Sequence, residues 1–195
     1  MPNQYHSTEA PTEPGTGWLA LVAVGGVWRL EPTEVRATRV VDPAADIEEG
    51  QKTGIQISSD HEAALALLRI PGIKPGKVDT PDMKFKNNPR EISITGDPLK
   101  ISFKGTDYVI EPTQAGIFLK KGVQKTLLAE LLAENSASTN AASLLWAGDL
   151  DGDGHIDLLF AYSGQNNFGS CLYLSAGASK GALVRQAACH GGVGC

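Results

Sequence analysis

The stretch WLALVAVGGVWRLEPTEVRATRVV, residues 18–41, decides the fold class of this chain. Apolar and polar residues alternate along much of it, and β-branched residues are frequent, which is typical of half-buried β-strands. Gly25 and Gly26 separate two such runs, and a glycine pair accepts the left-handed backbone angles of a tight hairpin turn. The stretch therefore predicts a β-hairpin.

Short β-like runs separated by turn residues continue along the rest of the chain. They lie at residues 55–58, 64–70, 92–94, 101–103, 108–110 and 117–119. Residues 126–134, TLLAELLAE, fit either a helix or the return strand of a hairpin that turns at Lys121 and Gly122, and we favour the strand. The pattern predicts a mainly β chain with an antiparallel sheet or a sandwich-like architecture and few short helices.

The expected domain organisation is one domain behind a short tail. Residues 1–17, MPNQYHSTEAPTEPGTG, contain little to bury and predict a flexible N-terminal tail. Residues 18–195 are expected to form a single β-rich domain, in which Pro and Gly across residues 69–91 mark a long irregular connection or a lobe boundary. A chain of 195 residues buries enough surface to need no metal for its core, so any metal would have a local role.

Charge and hydropathy exclude two classes of partner. The net charge of -5 argues against nucleic acid, because nucleic-acid affinity comes mainly from Lys and Arg. No apolar run is long enough to span a bilayer, and the longest, residues 18–27, is broken by Gly25 and Gly26. Residues 1–17 lack the basic and apolar segments of a secretory leader, so we expect either a cytoplasmic chain or one from which a leader or lipid anchor has been removed.

The 3 cysteines, Cys171, Cys189 and Cys195, all lie near the C-terminus. Their clustering favours a disulfide, which would hold a chain end that otherwise frays, although separate buried thiols are the alternative. We predict a Cys171–Cys195 bridge and leave the third thiol unexplained. A disulfide favours an oxidising compartment, so the expected location is periplasmic or extracellular, with the leader absent.

Four aspartates are crowded into the segment GDLDGDGHIDLLF, residues 148–160. Asp149, Asp151, Asp153 and Asp157 occupy loop positions 1, 3, 5 and 9, and Gly154 occupies position 6. Such carboxylates repel one another unless a cation neutralises them. Alternate residues of a tight turn can point inward together, while a glycine allows the sharp bend.

Calcium is the predicted ion for this loop. It takes six to eight oxygen ligands, which carboxylates and carbonyl groups supply. The backbone carbonyl of His155, at position 7, is expected to be a further ligand, with the imidazole facing away. The alternatives are magnesium or manganese at the same place, or a solvated Asp/Gly turn that holds no ion.

The spacing resembles the DxDxDGxxD calcium loops of EF-hands, dockerins and FG-GAP or integrin-type repeats. An EF-hand loop ends in a bidentate Glu at position 12, which is Phe160 here, so the integrin-type loop fits better. In those repeats the aspartate at position 9 completes the shell and the loop joins two strands. The resemblance therefore implies one calcium-binding hairpin at residues 149–157.

A more diffuse resemblance covers the chain from residue 18 onward. Its acidic loop near the C-terminus and its terminal Cys195 resemble bacterial exported or lipoprotein-like proteins, among them calcium-binding periplasmic immunity proteins of Xanthomonas-type bacteria. That resemblance implies a lipid anchor and inhibition of a lysozyme-like cell-wall hydrolase through protein–protein binding. It also implies a partner-binding loop after the acidic loop, for which the residues are Ser163, Gly164, Asn166 and Asn167; a plain exposed turn is the alternative.

We expect no enzymatic activity and name no catalytic residue. Residues 177–181 match the GxSxG pattern of serine hydrolases, but no Asp or Glu follows them to complete a triad. The expected function is thus that of an extracytoplasmic calcium-binding inhibitor or immunity protein. A calcium-stabilised carbohydrate-binding or cell-surface adhesion module is the alternative.

Overall fold

The computed structural model describes residues 4–6, 9–10, 13–82, 90–92, 97–129, 141–163 and 167–193. All the regular secondary structure among these residues is β-strand, and all the strand pairs are antiparallel. The predicted mainly β, antiparallel fold class is confirmed. The few short helices that we also expected are not found in the described part of the chain.

The strands, in chain order, are β1 (Gln4–Tyr5), β2 (Gly15–Val24), β3 (Val27–Val40), β4 (Gly54–Ser59), β5 (Ala66–Leu68), β6 (Gly76–Lys77), β7 (Arg90–Ile92), β8 (Leu99–Phe103), β9 (Thr106–Thr113), β10 (Gly116–Lys121), β11 (Gln124–Ala129), β12 (Ala141–Gly148), β13 (Asp157–Ser163), β14 (Asn167–Leu174) and β15 (Arg185–Val193).

The chain divides into two compact units, the first ending at Val78 and the second beginning at Asp79. This boundary falls within residues 69–91, where Pro and Gly indicated a connection or a lobe boundary. The sequence predicted a tail up to residue 17. Among the described residues of that segment, Gln4 and Tyr5 form strand β1, and β2 begins at Gly15.

The first unit is a six-stranded sheet with the order β1-β4-β3-β2-β5, in which β6 also pairs with β3. The predicted hairpin is the β2–β3 pair. Its turn residues Gly25 and Gly26 have φ angles of 58° and 81°, which glycine adopts without strain. The buried apolar side chains of this unit are Ala20, Leu21, Val22, Leu30, Val35, Ile57, Leu68 and Val78.

The second unit contains a four-stranded sheet, β11-β10-β9-β8, and a five-stranded sheet, β15-β14-β13-β12-β7. Apolar side chains from both sheets join in one core, which includes Ile101, Ile110 and Leu119 from the first and Leu144 and Leu158 from the second. Two antiparallel sheets around a shared core give the sandwich-like arrangement that the sequence indicated. The hairpin β12–β13 belongs to the five-stranded sheet and carries the aspartate loop.

Strand β11 settles part of the ambiguity between helix and strand at residues 126–134. Residues 126–129 are a strand that returns beside β10, with Lys121 opposite Gln124. The favoured strand prediction is confirmed for these residues. Residues 130–134 lie outside the described residues.

Candidate metal centre

The aspartate loop joins two adjacent strands of the second unit. Strands β12 and β13 pair so that Ala147 lies opposite Leu158 and Gly148 opposite Asp157, which fixes both ends of the loop. Within the loop, Leu150 and Ile156 are only 4% and 1% exposed. Because these two apolar side chains are buried, the acidic residues between them are held in a defined arrangement.

Three of the predicted ligands lie together. Asp149, Asp151 and Asp153 each offer one carboxylate oxygen, and these oxygens lie within 4.8 Å of one another. Asp149 is buried, Asp151 is half-buried and Asp153 is exposed, so the cluster runs from the protein interior to its surface. Oxygens at such separations can share one metal ion, so this cluster could hold one.

Backbone amides of the loop orient the carboxylate of Asp149. Its Oδ1 accepts a hydrogen bond from Gly152 N at 2.8 Å, and its Oδ2 accepts one from Gly154 N at 3.0 Å. Gly154 has a φ angle of 85°, a conformation that a side chain would strain, as its position in the loop predicted. The turn therefore wraps around the first aspartate.

Asp157 is completely buried at the start of β13. Its Oδ2 accepts from Leu150 N at 2.7 Å, and its Oδ1 accepts from Ser175 N at 2.8 Å. Burial raises the pKa of Asp157 to about 7 despite these donors, and the nearby charge of Asp151 adds to the rise. Asp157 is thus tied to the backbone on both sides, and its role as a metal ligand stays a prediction.

Asp151 differs from its neighbours because one of its oxygens lacks a donor. Its Oδ1 accepts from Asp153 N at 3.2 Å, whereas its Oδ2 is buried without a hydrogen-bond partner among the described residues. Burial raises the pKa of Asp151, and the negative charges of Asp153 and Asp149 raise it further, whereas backbone hydrogen bonds from Asp153 and Ala176 oppose the rise. A buried acceptor without a donor costs about 1–3 kcal/mol, so the loop fits a bound cation, which would satisfy this oxygen.

Ser175 and Lys104 contact the loop from distant parts of the chain. The Ser175 Oγ lies 2.9 Å from Asp153 Oδ2 and 3.0 Å from Asp157 Oδ1. Lys104 Nζ lies 2.8 Å from Asp149 Oδ2, and the hydrogen bond to Asp149 is the main reason that the pKa of Lys104 is raised. Sequence reasoning missed both residues, because neither belongs to the loop motif.

His155 is exposed, as expected for an imidazole that faces away from the loop centre. Its backbone N–H donates to Asp153 Oδ1 at 2.8 Å and so helps to fix that carboxylate. The predicted contribution of its carbonyl group to a metal shell is not tested by these contacts.

The predicted disulfide pairing is wrong. Cys171 is bonded to Cys189, with Cα atoms 4.1 Å apart, and not to Cys195. The physical reason is that β15 returns along β14, so that Cys171 and Cys189 are directly opposed in the sheet. Cys195 lies outside the described residues. The more general prediction of a disulfide near the C-terminus agrees with the structure.

The predicted partner-binding loop lies between β13 and β14. Ser163 is the last residue of β13 and is exposed, and Asn167 is the first residue of β14. Gly164 and Asn166 lie outside the described residues, as does the Asn167 side chain. A role of these residues in binding a partner stays a prediction.

Comparisons of the chain with known proteins found no relative. No family model, curated protein or solved structure matches the chain. Among the described residues there is also no helix long and apolar enough to cross a membrane.

Proposed function

We propose that the loop of residues 149–157 binds a calcium ion and that the ion stabilises the β12–β13 hairpin. The observation that carries the proposal is the buried Asp151 Oδ2, which lacks a hydrogen-bond donor and lies in a cluster with carboxylates of Asp149 and Asp153. A divalent cation supplies what this oxygen lacks and removes the repulsion among the carboxylates. Calcium suits the site because all of the proposed side-chain ligands are hard oxygen atoms.

The proposed ligands are the carboxylates of Asp149, Asp151, Asp153 and Asp157 and the backbone carbonyl of His155. The proximity of the first three supports the core of this set. Asp157 lies near enough to Asp151 for the two charges to interact. Waters would complete a shell of six to eight oxygens.

The role of the ion is structural rather than catalytic. The loop is continuous with two core strands and contributes Leu150 and Ile156 to the buried residues, so ordering the loop stabilises the sheet. A ligand that binds only the folded chain adds about 2.7 kcal/mol of stability at a hundredfold excess over its Kd. No catalytic step is proposed.

The first test is calorimetric titration of calcium into the protein. Asp151→Ala combined with Asp153→Ala should abolish the binding isotherm and remove the rise in Tm that calcium gives the unaltered chain, because two of the clustered carboxylates are lost. The matched control is Asp82→Ala combined with Asp97→Ala, which removes the same charge from two exposed sites. Unchanged binding in the Asp151/Asp153 variant would refute the ligand assignment.

Magnesium and manganese provide the test of the ion's identity. Magnesium demands near-octahedral geometry and gives up its waters reluctantly, so it should bind the loop more weakly than calcium. Titrations of the three ions into the same protein compare them directly. Tighter binding of magnesium or manganese would replace calcium in the proposal.

The proposed biological role is inhibition of a lysozyme-like cell-wall hydrolase outside the cytoplasm. The Cys171–Cys189 disulfide supports an oxidising compartment, periplasmic or extracellular. Strand β13 runs from the calcium loop to the exposed Ser163, so the ion would hold the strand that presents the predicted partner loop. The identity of the partner rests on the resemblance to periplasmic immunity proteins.

A muramidase assay tests this role. Adding the calcium-loaded protein should inhibit a lysozyme-like muramidase at a near-equimolar ratio, and Ser163→Arg should weaken inhibition without lowering Tm. Binding to glycan arrays without inhibition would overturn the inhibitor role and favour the carbohydrate or adhesion module. The calcium titration above is independent of either result.

A further inference from the structure

Lys104 occupies a turn position that ordinarily suits a smaller residue. It follows β8 in the tight β8–β9 turn and has a φ angle of 46°, the one positive φ among the described residues other than glycine. This conformation favours Gly, Asn or Asp, and a long side chain there carries a strain of about 1 kcal/mol or more. A compensating interaction is therefore expected at this side chain.

Two carboxylates provide that interaction. Lys104 Nζ lies 2.8 Å from Asp149 Oδ2 and 3.1 Å from Asp79 Oδ2. Asp149 is only 6% exposed, so its charge is poorly screened by water. Asp79 and Asp149 are also bridged through their backbones, because Asp149 N donates to Asp79 O at 2.9 Å.

These contacts connect the two sheets of the second unit. Lys104 belongs to the β8–β9 hairpin of the four-stranded sheet, whereas Asp149 begins the loop of the five-stranded sheet. The ammonium group thus reaches the first carboxylate of the proposed calcium loop from the opposite sheet. A fixed positive charge lies against one proposed ligand of a positive ion.

We propose that Lys104 is a resident cation that neutralises Asp149 in the ion-free protein and thereby lowers the affinity of the loop for calcium. This inference rests on the proposed function, since it assumes that the loop binds calcium. The ammonium group and the calcium ion are both attracted to the Asp149 carboxylate. Because both are positive, the presence of one weakens the binding of the other. Lys104 is a positioning residue and not an ion ligand.

The proposal predicts opposite effects on binding and on stability when the charge is removed. Without the ammonium group, Asp149 keeps its full charge for the ion, and binding becomes tighter. In the ion-free protein, the same change leaves the buried Asp149 carboxylate without the ammonium group that neutralises it, so the fold is weakened. A residue that merely braced the loop would lower both quantities together.

Lys104→Met is the test variant, because methionine is also a long unbranched side chain but carries no charge. Its backbone strain at a φ angle of 46° should equal that of lysine, so the variant changes the charge alone. In calcium titrations we expect a Kd roughly tenfold lower than that of the unaltered chain, within the usual range of coupling between two sites. In a chelator we expect a lower Tm, and saturating calcium should recover most of the difference.

Two further variants separate charge from packing. Lys104→Arg keeps the positive charge beside Asp149 and should leave the calcium Kd within about twofold, because the proposed effect is a charge–charge interaction. Lys100→Met removes an exposed lysine from the preceding strand β8 and should change neither the Kd nor the Tm measured in chelator. Both variants are measured beside Lys104→Met in the same buffer.

The outcomes are distinguishable from failure of the proposed function. If the unaltered chain and Lys104→Met both fail to bind calcium, the calcium site itself is refuted and this inference falls with it. If the unaltered chain binds calcium and Lys104→Met binds equally or more weakly, only the role of Lys104 as a competing cation is overturned. Binding seen in Lys104→Met alone would support the role of Lys104 as a competing cation but would contradict calcium binding by the unaltered chain.

Discussion

Two aspartate loops, one in each unit, differ in how fully hydrogen bonds satisfy their carboxylates. In the first unit, Asp42 Oδ1 accepts from Ala44 N, and the other oxygen is paired with His6 Nδ1. Asp46 accepts from the amides of Asp42 and Thr53 and from the Thr53 hydroxyl. The pKa values of Asp42 and Asp46 are lowered, Asp42 chiefly by its hydrogen bond to His6 and Asp46 by its bond from Asp42 N.

In the second loop, Asp149 and Asp157 also accept backbone hydrogen bonds, but Asp151 has too few donors for its burial. The pKa values of Asp151 and Asp157 are raised, chiefly by burial, and Asp151 Oδ2 has no donor among the described residues. The difference shows that the number of carboxylates does not by itself distinguish a metal site from a hydrogen-bonded turn. What distinguishes them is whether the protein supplies donors for the charges that it buries.

The largest effect is expected from Asp157→Ala in the second loop. Its loss leaves Leu150 N and Ser175 N without their acceptor at a fully buried site, so unfolding should become easier by about 3 kcal/mol. Urea denaturation in chelator measures this free energy. The loss should persist in chelator because these hydrogen bonds do not depend on an ion.

Asp46→Ala is the matched variant in the first loop. Thr53, which donates to Asp46, is exposed, so water can replace the lost acceptor and the destabilisation should be smaller than that of Asp157→Ala. An equal or larger loss for Asp46→Ala would break the contrast between the fully buried Asp157 and the half-buried Asp46.

A smaller effect is expected from pH in the absence of calcium. The pKa of Asp157 is about 7 in the folded chain and near its ordinary value of 3.8 in the unfolded chain, so the folded state binds the extra proton between these values. Stability in chelator should therefore fall as pH rises from 3.8 to about 7 and should level off above that value. Calcium should reverse this pH dependence of stability, because the ion binds the ionised carboxylate. The affinity of the loop for calcium should therefore increase as pH rises. Thermal denaturation between pH 5 and 8, with and without calcium, measures both trends.

The first loop should respond to pH in a different window. The lowered pKa of Asp42 gives stability that is present above its ordinary value of 3.8 and is lost as pH falls through the lowered value. The raised pKa of His6 gives stability that is complete below 6.5 and is lost as pH rises through the raised value.

The controls are Asp157→Asn, which should flatten the chelator trend near pH 7, and His6→Gln, which should remove only the first-loop contribution. An unchanged slope in Asp157→Asn would contradict its assignment.

Features encoded by neighbouring residues could be predicted from the sequence. Alternation in residues 18–41 and the Gly25-Gly26 pair gave the first hairpin, and the spacing of Asp149, Asp151 and Asp153 gave the acidic cluster. Both depend on local backbone geometry, which a short segment specifies.

Features that depend on sheet register could not be predicted. Lys104 and Ser175 reach the loop only because β8–β9 and the end of β14 lie beside it, and Cys189 opposes Cys171 only in the observed pairing of β14 with β15. The first aspartate loop was missed because Asp42 and Asp46 lack the alternate spacing of a calcium motif. Its carboxylates find their donors through the fold, including His6 on the N-terminal segment.

A crystal structure of the protein grown in millimolar calcium tests the central claim most directly. We expect one strong density peak inside the loop, about 2.3–2.6 Å from carboxylate oxygens of Asp149, Asp151 and Asp153, with anomalous scattering that identifies calcium. The Asp151 Oδ2 should be among its ligands. Density for water alone at that place, with the three carboxylates turned outward, would contradict the account.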